Sequence, residues 1–103
     1  MRKILYPISY DIVIEIENNL DGAWQEMIKL TWIRCPLKVL VTYNRKWSNE
    51  DDMLRQSFTT IISQSNITFK ENQDTEYLLI IGNKNNDLLN WNSYKFDSEG
   101  QQK

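Results

Sequence analysis

A chain of 103 residues with 41% hydrophobic and 25% charged side chains holds one modest core. Its formal net charge of −2 argues against coating nucleic acid by bulk electrostatics, while leaving room for a local basic patch. With no histidine and one cysteine, Cys35, the chain lacks histidine acid–base chemistry, most zinc sites, thiolate metal clusters and any internal disulfide. Catalysis would rest on carboxylates, lysine, tyrosine or a hard metal ion. The lone thiol points to a reducing cytoplasm. Apolar runs such as Leu78 to Ile81 are far too short to cross a bilayer, and Pro7 and Tyr10-Asp11 interrupt any signal-peptide core.

Residues 1 to 9 offer at most a short edge strand, limited by Pro7. Tyr10 to Glu17 follows, rich in β-branched residues. With a period of two, Ile12, Ile14 and Ile16 share one face, and Asp11, Val13, Glu15 and Glu17 the other. Asn18 to Gly22 signals a turn, with Asp21 a candidate N-cap. A helix is expected over 23–34, burying Trp24, Met27, Ile28, Thr31, Trp32 and Cys35, and Pro36 ends it. Leu37 to Tyr43 reads as a second strand, so the unit suits a right-handed crossover between parallel strands.

Asn44 to Glu50 is a polar loop. Ser48 and Asp51 resemble a capping box for a helix over 49–64, with Leu54, Phe58, Ile61 and Ile62 as its apolar stripe. Tyr77 to Ile81 is a short apolar strand, Gly82 to Asn90 an Asn-rich loop, and Trp91 to Phe96 an edge strand. This order predicts a single small α/β domain over 1–97, with a mainly parallel or mixed sheet flanked by helices. Residues 98–103 are expected to be a disordered tail.

Glu15 and Glu17 stand two positions apart on one strand, so their Cα atoms lie roughly 6.5–7 Å apart on the same face. Solvated charges on a strand are common. Inside a parallel sheet, however, two such carboxylates repel each other and are costly to bury, and a divalent cation such as Mg2+ relieves both penalties. Asp11, roughly 13 Å from Glu15 along the strand, is too far to share that ion. Lys29 sits three residues after Glu26, the spacing of a surface ion pair. In a functional reading it would reach the end of the first strand and stabilise developing phosphate charge.

Tyr10 to Asn19, Trp24 to Leu30 and Cys35 to Tyr43 together resemble the PD-(D/E)xK, or restriction-endonuclease-like, nuclease superfamily. That family places an E-x-K triplet or a variant on a strand, then a helix, then the strand that completes its core. The resemblance covers about a third of the chain. It implies a restriction-endonuclease-like fold and Mg2+-dependent hydrolysis of nucleic-acid phosphodiesters, with Glu15 as the strand carboxylate and Glu17 where lysine is usual. Some members carry that lysine on the following helix, and Lys29, with Glu26, would then replace it. The family's other ligand, an upstream aspartate, has no counterpart, since no acidic residue precedes Tyr10.

On this reading Glu15 and Glu17 hold the metal, and Glu15, Glu17, Lys29 and Glu26 form the catalytic set. Arg45, Lys46 and Lys84 are the candidate phosphate contacts on loops. Trp47 and Trp91 are candidates for stacking on bases. The alternative is a non-catalytic nuclease-fold module that binds a protein partner or a second copy through an edge strand. A small-ligand domain ranks behind both, because three glycines form no phosphate-binding loop.

Overall fold

The computed structural model describes residues 11–18, 20–44, 50–68, 74–85 and 88–103. Four strands and two helices alternate as β1 (Ile12–Glu17), α1 (Leu20–Thr31), β2 (Leu37–Asn44), α2 (Glu50–Thr68), β3 (Glu76–Asn85) and β4 (Leu88–Phe96). The sheet order is β1-β2-β3-β4. β1, β2 and β3 run parallel, and β4 closes the far edge antiparallel to β3, so the sheet is mixed. The expected order of elements is therefore present.

The two crossovers step in the same direction, and connections of one hand then carry both helices to the same face. The core agrees. Ala23, Met27 and Leu30 of α1 and Leu54, Phe58 and Ile62 of α2 pack with Leu40, Tyr77, Leu79, Ile81 and Phe96 of the sheet. Phe58 meets Tyr77 and Phe96 edge-on, at centroid distances of 5.8 and 5.0 Å. Among the described residues no element covers the opposite face. The helices expected to flank the sheet lie on one of its faces.

Several boundaries move for physical reasons. α1 starts at Leu20 and stops at Thr31, before Arg34. Its end tightens through bonds from the Trp32 and Ile33 N–H groups to the carbonyls of Lys29 and Leu30, 3.0 and 3.2 Å. Its buried residues are Ala23, Met27, Leu30 and Thr31, whereas Trp24 and Trp32 are exposed. The small Ala23 lets the helix approach the sheet, and the tryptophans are left on its flanks. α2 continues to Thr68 instead of ending near Gln64.

Most of the expected loop over 82–90 is strand. β3 and β4 pair from Tyr77↔Phe96 out to Asn85↔Leu88, so ladder bonds satisfy the backbone that the Asn-rich sequence suggested was solvated. Residues 98–103 also differ from the disordered tail expected of them. They turn back so that Gln102 bridges Phe96 and the Lys103 N–H donates to the Lys95 carbonyl. The Asp97 carboxylate accepts from the N–H groups of Glu99 and Gln101, both at 2.9 Å, and holds the turn.

Among the described residues one charged side chain enters the core. Lys38 on β2 is fully buried, its ammonium 3.4 Å from the Tyr77 hydroxyl and 5.2 Å from that ring's centroid. Burial lowers its pKa to about 8, against a smaller opposing influence from Cys35. Burial also pushes the Tyr77 phenol up to about 12. Cys35 itself is buried and donates to the Leu37 carbonyl at 3.2 Å.

Candidate functional site

Among the described residues β1 is an edge strand, and its alternation decides what its carboxylates can do. The burial pattern leaves Ile12, Ile14 and Ile16 exposed and Val13, Glu15 and Glu17 half-buried, so both glutamates lie on the helix-covered face. In the parallel register Glu15 pairs with Leu40, and Glu17 with Thr42. The Thr42 side chain is fully buried, and its hydroxyl meets no hydrogen-bond partner among the described residues. A buried orphan hydroxyl costs about 1–3 kcal/mol, which makes this spot chemically conspicuous.

The two carboxylates have different surroundings. Glu17 leans on the first turn of α1. A Cβ built on Gly22 would stand 3.0 Å from its Cδ and 3.1 Å from its Oε2. The glycine thus makes room for an anion at the positive end of the helix. No hydrogen bond or ion pair from the described residues reaches Glu15. It is the half-buried carboxylate still available to a ligand.

Lys29 does not serve as a detached cation. Its ammonium sits 3.1 Å from Glu26 in an i,i+3 pair whose lysine side chain is 58% exposed. To act on a phosphate it would first have to leave that partner. Arg45 and Lys46, like Trp47 and Ser48, lie outside the described residues. Lys84 is placed in β3, opposite Leu89, instead of on a loop, and its side chain also lies outside the description.

A further cluster escaped the sequence reading. The Asp51 carboxylate, in the first turn of α2, accepts from Asn83 Nδ2 at 3.0 Å and from the Tyr94 hydroxyl at 3.3 Å. The Arg55 guanidinium stacks 4.8 Å from the Tyr94 ring centroid and pairs with Asp52 at 3.3 Å. Burial and the neighbouring Asp51 raise the Tyr94 pKa. Ser48, the other half of the expected capping box, lies outside the described residues. Two of the partners of Asp51 come from β3 and β4, which sequence spacing cannot bring together.

Glu17, Thr42 and Asn83 all lie toward the C-terminal ends of parallel strands, where open α/β sheets bind ligands. Among the described residues no group of three or more acidic, cysteine or histidine side chains could hold a metal ion. Magnesium does not require such a cage. It commonly uses one or two carboxylates, water and substrate phosphates, and the donor set of Glu15 and Glu17 fits that habit. Among the described residues, no helix is long and apolar enough to cross a membrane. Compared with known proteins, the chain matches no family model, no curated protein and no solved structure.

Proposed function

We propose that this chain is a nuclease-like domain that hydrolyses nucleic-acid phosphodiesters with a Mg2+ ion held by Glu15 and Glu17. The observation that carries the reading is the half-buried Glu15, whose carboxylate meets no partner among the described residues, on the same face of the sheet as Glu17 and the Thr42 hydroxyl. The strand–helix–strand arrangement of β1, α1 and β2 supports it, being the unit that the superfamily resemblance implies.

In this reading Glu15 is the primary ligand. Glu17, already steadied against Gly22, offers a second carboxylate without a large ordering cost. The ion would supply an activated water and charge stabilisation for the phosphate. Arg45 and Lys46, after β2 in the chain, would bind the phosphate backbone, whereas Lys84 shares a register position with Leu89, on the face away from the two glutamates. Glu26 holds Lys29 aside, so Lys29 is the least supported member of the catalytic set.

Calorimetric titration with Mg2+ and Mn2+ in the presence of a short oligonucleotide tests the reading, together with cleavage assays on DNA and RNA. Glu15→Gln is expected to remove metal binding and cleavage, and Lys29→Ala to keep metal binding. Identical titrations of wild type and a Glu15→Gln/Glu17→Gln variant, with no cleavage by either, would overturn it.

The second reading is a non-catalytic module that docks a protein. The edge strand β4 favours it, because Leu88, Leu89 and Trp91 are all exposed along it. No cleavage, together with an unchanged fold in the double variant, would favour this reading.

A further inference from the structure

The face of the sheet opposite the helices carries a stripe that the metal chemistry does not use. Ile12, Ile14 and Ile16 are 54%, 58% and 65% exposed, an unusual state for three consecutive same-face isoleucines. In register they continue through β2 and β3 to Trp91 and Leu89 on β4, both about half exposed. Four strands spaced about 4.8 Å apart and about 26 Å long outline a face on the order of 500 Å². Its exposed apolar groups are the isoleucines at one edge and Leu89 and Trp91 at the other, with Val39 buried between them.

We infer that a second copy of this chain covers this face, the two sheets packing face to face about a twofold axis. Two such faces remove on the order of 1,000 Å² from water, the threshold for a specific interface. The stripe needs no complementary chemistry in its partner, since branched aliphatic side chains pack against their own kind at sandwich spacing. Among the residues whose side chains are described, the ionic ones on this register are Glu76 and Lys95, of opposite sign and close to one corner. An axis lying across the strands sets isoleucine stripe on isoleucine stripe. It also carries that corner to the far end of the partner, so like charges do not face each other. Among the residues whose side chains are described, the middle of the face offers a phosphate or a nucleic acid no cation cluster, and a net charge of −2 leaves little repulsion between copies.

Light scattering coupled to size exclusion, on the full chain at micromolar to hundred-micromolar concentrations, is expected to give twice the chain mass. Ile14→Lys and, separately, Trp91→Lys are expected to give folded monomers by circular dichroism. Trp24→Lys, at an exposed site on α1, should leave the dimer intact and controls for added charge. In a mixed-isotope sample, methyl contacts of Ile14 and Ile16 should be intermolecular. A dimer insensitive to both face variants would overturn the inference. A monomer whose Ile14 methyls contact residues 1–10 of its own chain would also overturn it, and would identify another occupant. A monomer whose isoleucine methyls are open to a soluble paramagnetic probe would overturn it as well. None of these outcomes touches the metal reading, which the Glu15 variant tests separately.

Discussion

The carboxylate of Glu17 occupies the space that a side chain on Gly22 would need, with Oε2 3.1 Å and Oε1 3.3 Å from that Cβ position. The pair joins the end of β1 to the start of α1. Glu17→Gln keeps the shape and removes the charge, so it should cost about 0.3–1 kcal/mol in a urea melt. The loss should shrink in 1 M salt. Gly22→Ala alone should gain less than its helix propensity of roughly 0.5–1 kcal/mol, because the carboxylate must move. In a Glu17→Ala background the full gain should appear. Equal effects of Gly22→Ala in the two backgrounds would show that the two residues are not coupled.

Gly82 lies where β3 passes between two aromatic rings. Tyr43 from β2 and Trp91 from β4 meet edge-on at 5.3 Å, and a Cβ on Gly82 would come within 3.0 and 2.9 Å of them. Gly82→Ala forces the rings apart and should cost about 1–3 kcal/mol, the usual range for overpacking. Near-ultraviolet circular dichroism should change with it, since the tryptophan's asymmetric surroundings are disturbed. An unchanged spectrum and melt would refute the close approach.

Lys38 and Tyr77 make stability depend on alkaline pH. Lys38 titrates near 8 when folded and at its ordinary value of 10.5 when unfolded, so between those values the unfolded chain binds more protons. Stability should therefore rise with pH through that window, by on the order of 3 kcal/mol in full. Below pH 8 both states are protonated and the burial cost is constant. Tyr77 acts in the opposite sense. Its phenol is raised to about 12 from 10, so stability falls as pH climbs from 10 toward 12. The urea midpoint should peak near pH 10, and Lys38→Met should remove the rising limb. A flat profile from pH 8 to 10 in the wild type would contradict a buried amine.

Gly100 anchors the C-terminal turn. Its φ of +88° is one that L side chains avoid, and a Cβ there would stand 2.5 Å from the Thr59 carbonyl oxygen of α2. Gly100→Ala should release residues 98–103 from the helix and cost about 1–3 kcal/mol. Amide exchange at Gln101 and Lys103 should quicken, as the first donates to the Asp97 carboxylate and the second to the Lys95 carbonyl of β4. Unaltered exchange at both amides would refute the anchoring role.

The isoleucine–glutamate alternation of β1 determined that Glu15 and Glu17 share a face, because a strand's side-chain period is a local property of the backbone. The strand, helix and strand order is local for the same reason, each segment having its own periodicity and turn residues. Which face of β1 the helices cover was not written there. That followed from two crossovers of one hand packing on the same side, which left the isoleucines outside and the glutamates half-buried. The same packing turned Trp24 and Trp32 outward, although helical spacing alone placed them with Met27. Asp51 bonds Asn83 and Tyr94, contacts separated by 32 and 43 residues, so only the assembled sheet could bring them together. Glu15 and Glu17 were legible as candidates from spacing. Their difference, one docked on Gly22 and one without a partner among the described residues, is a product of tertiary structure, because burial and neighbours exist only once β1 and α1 meet.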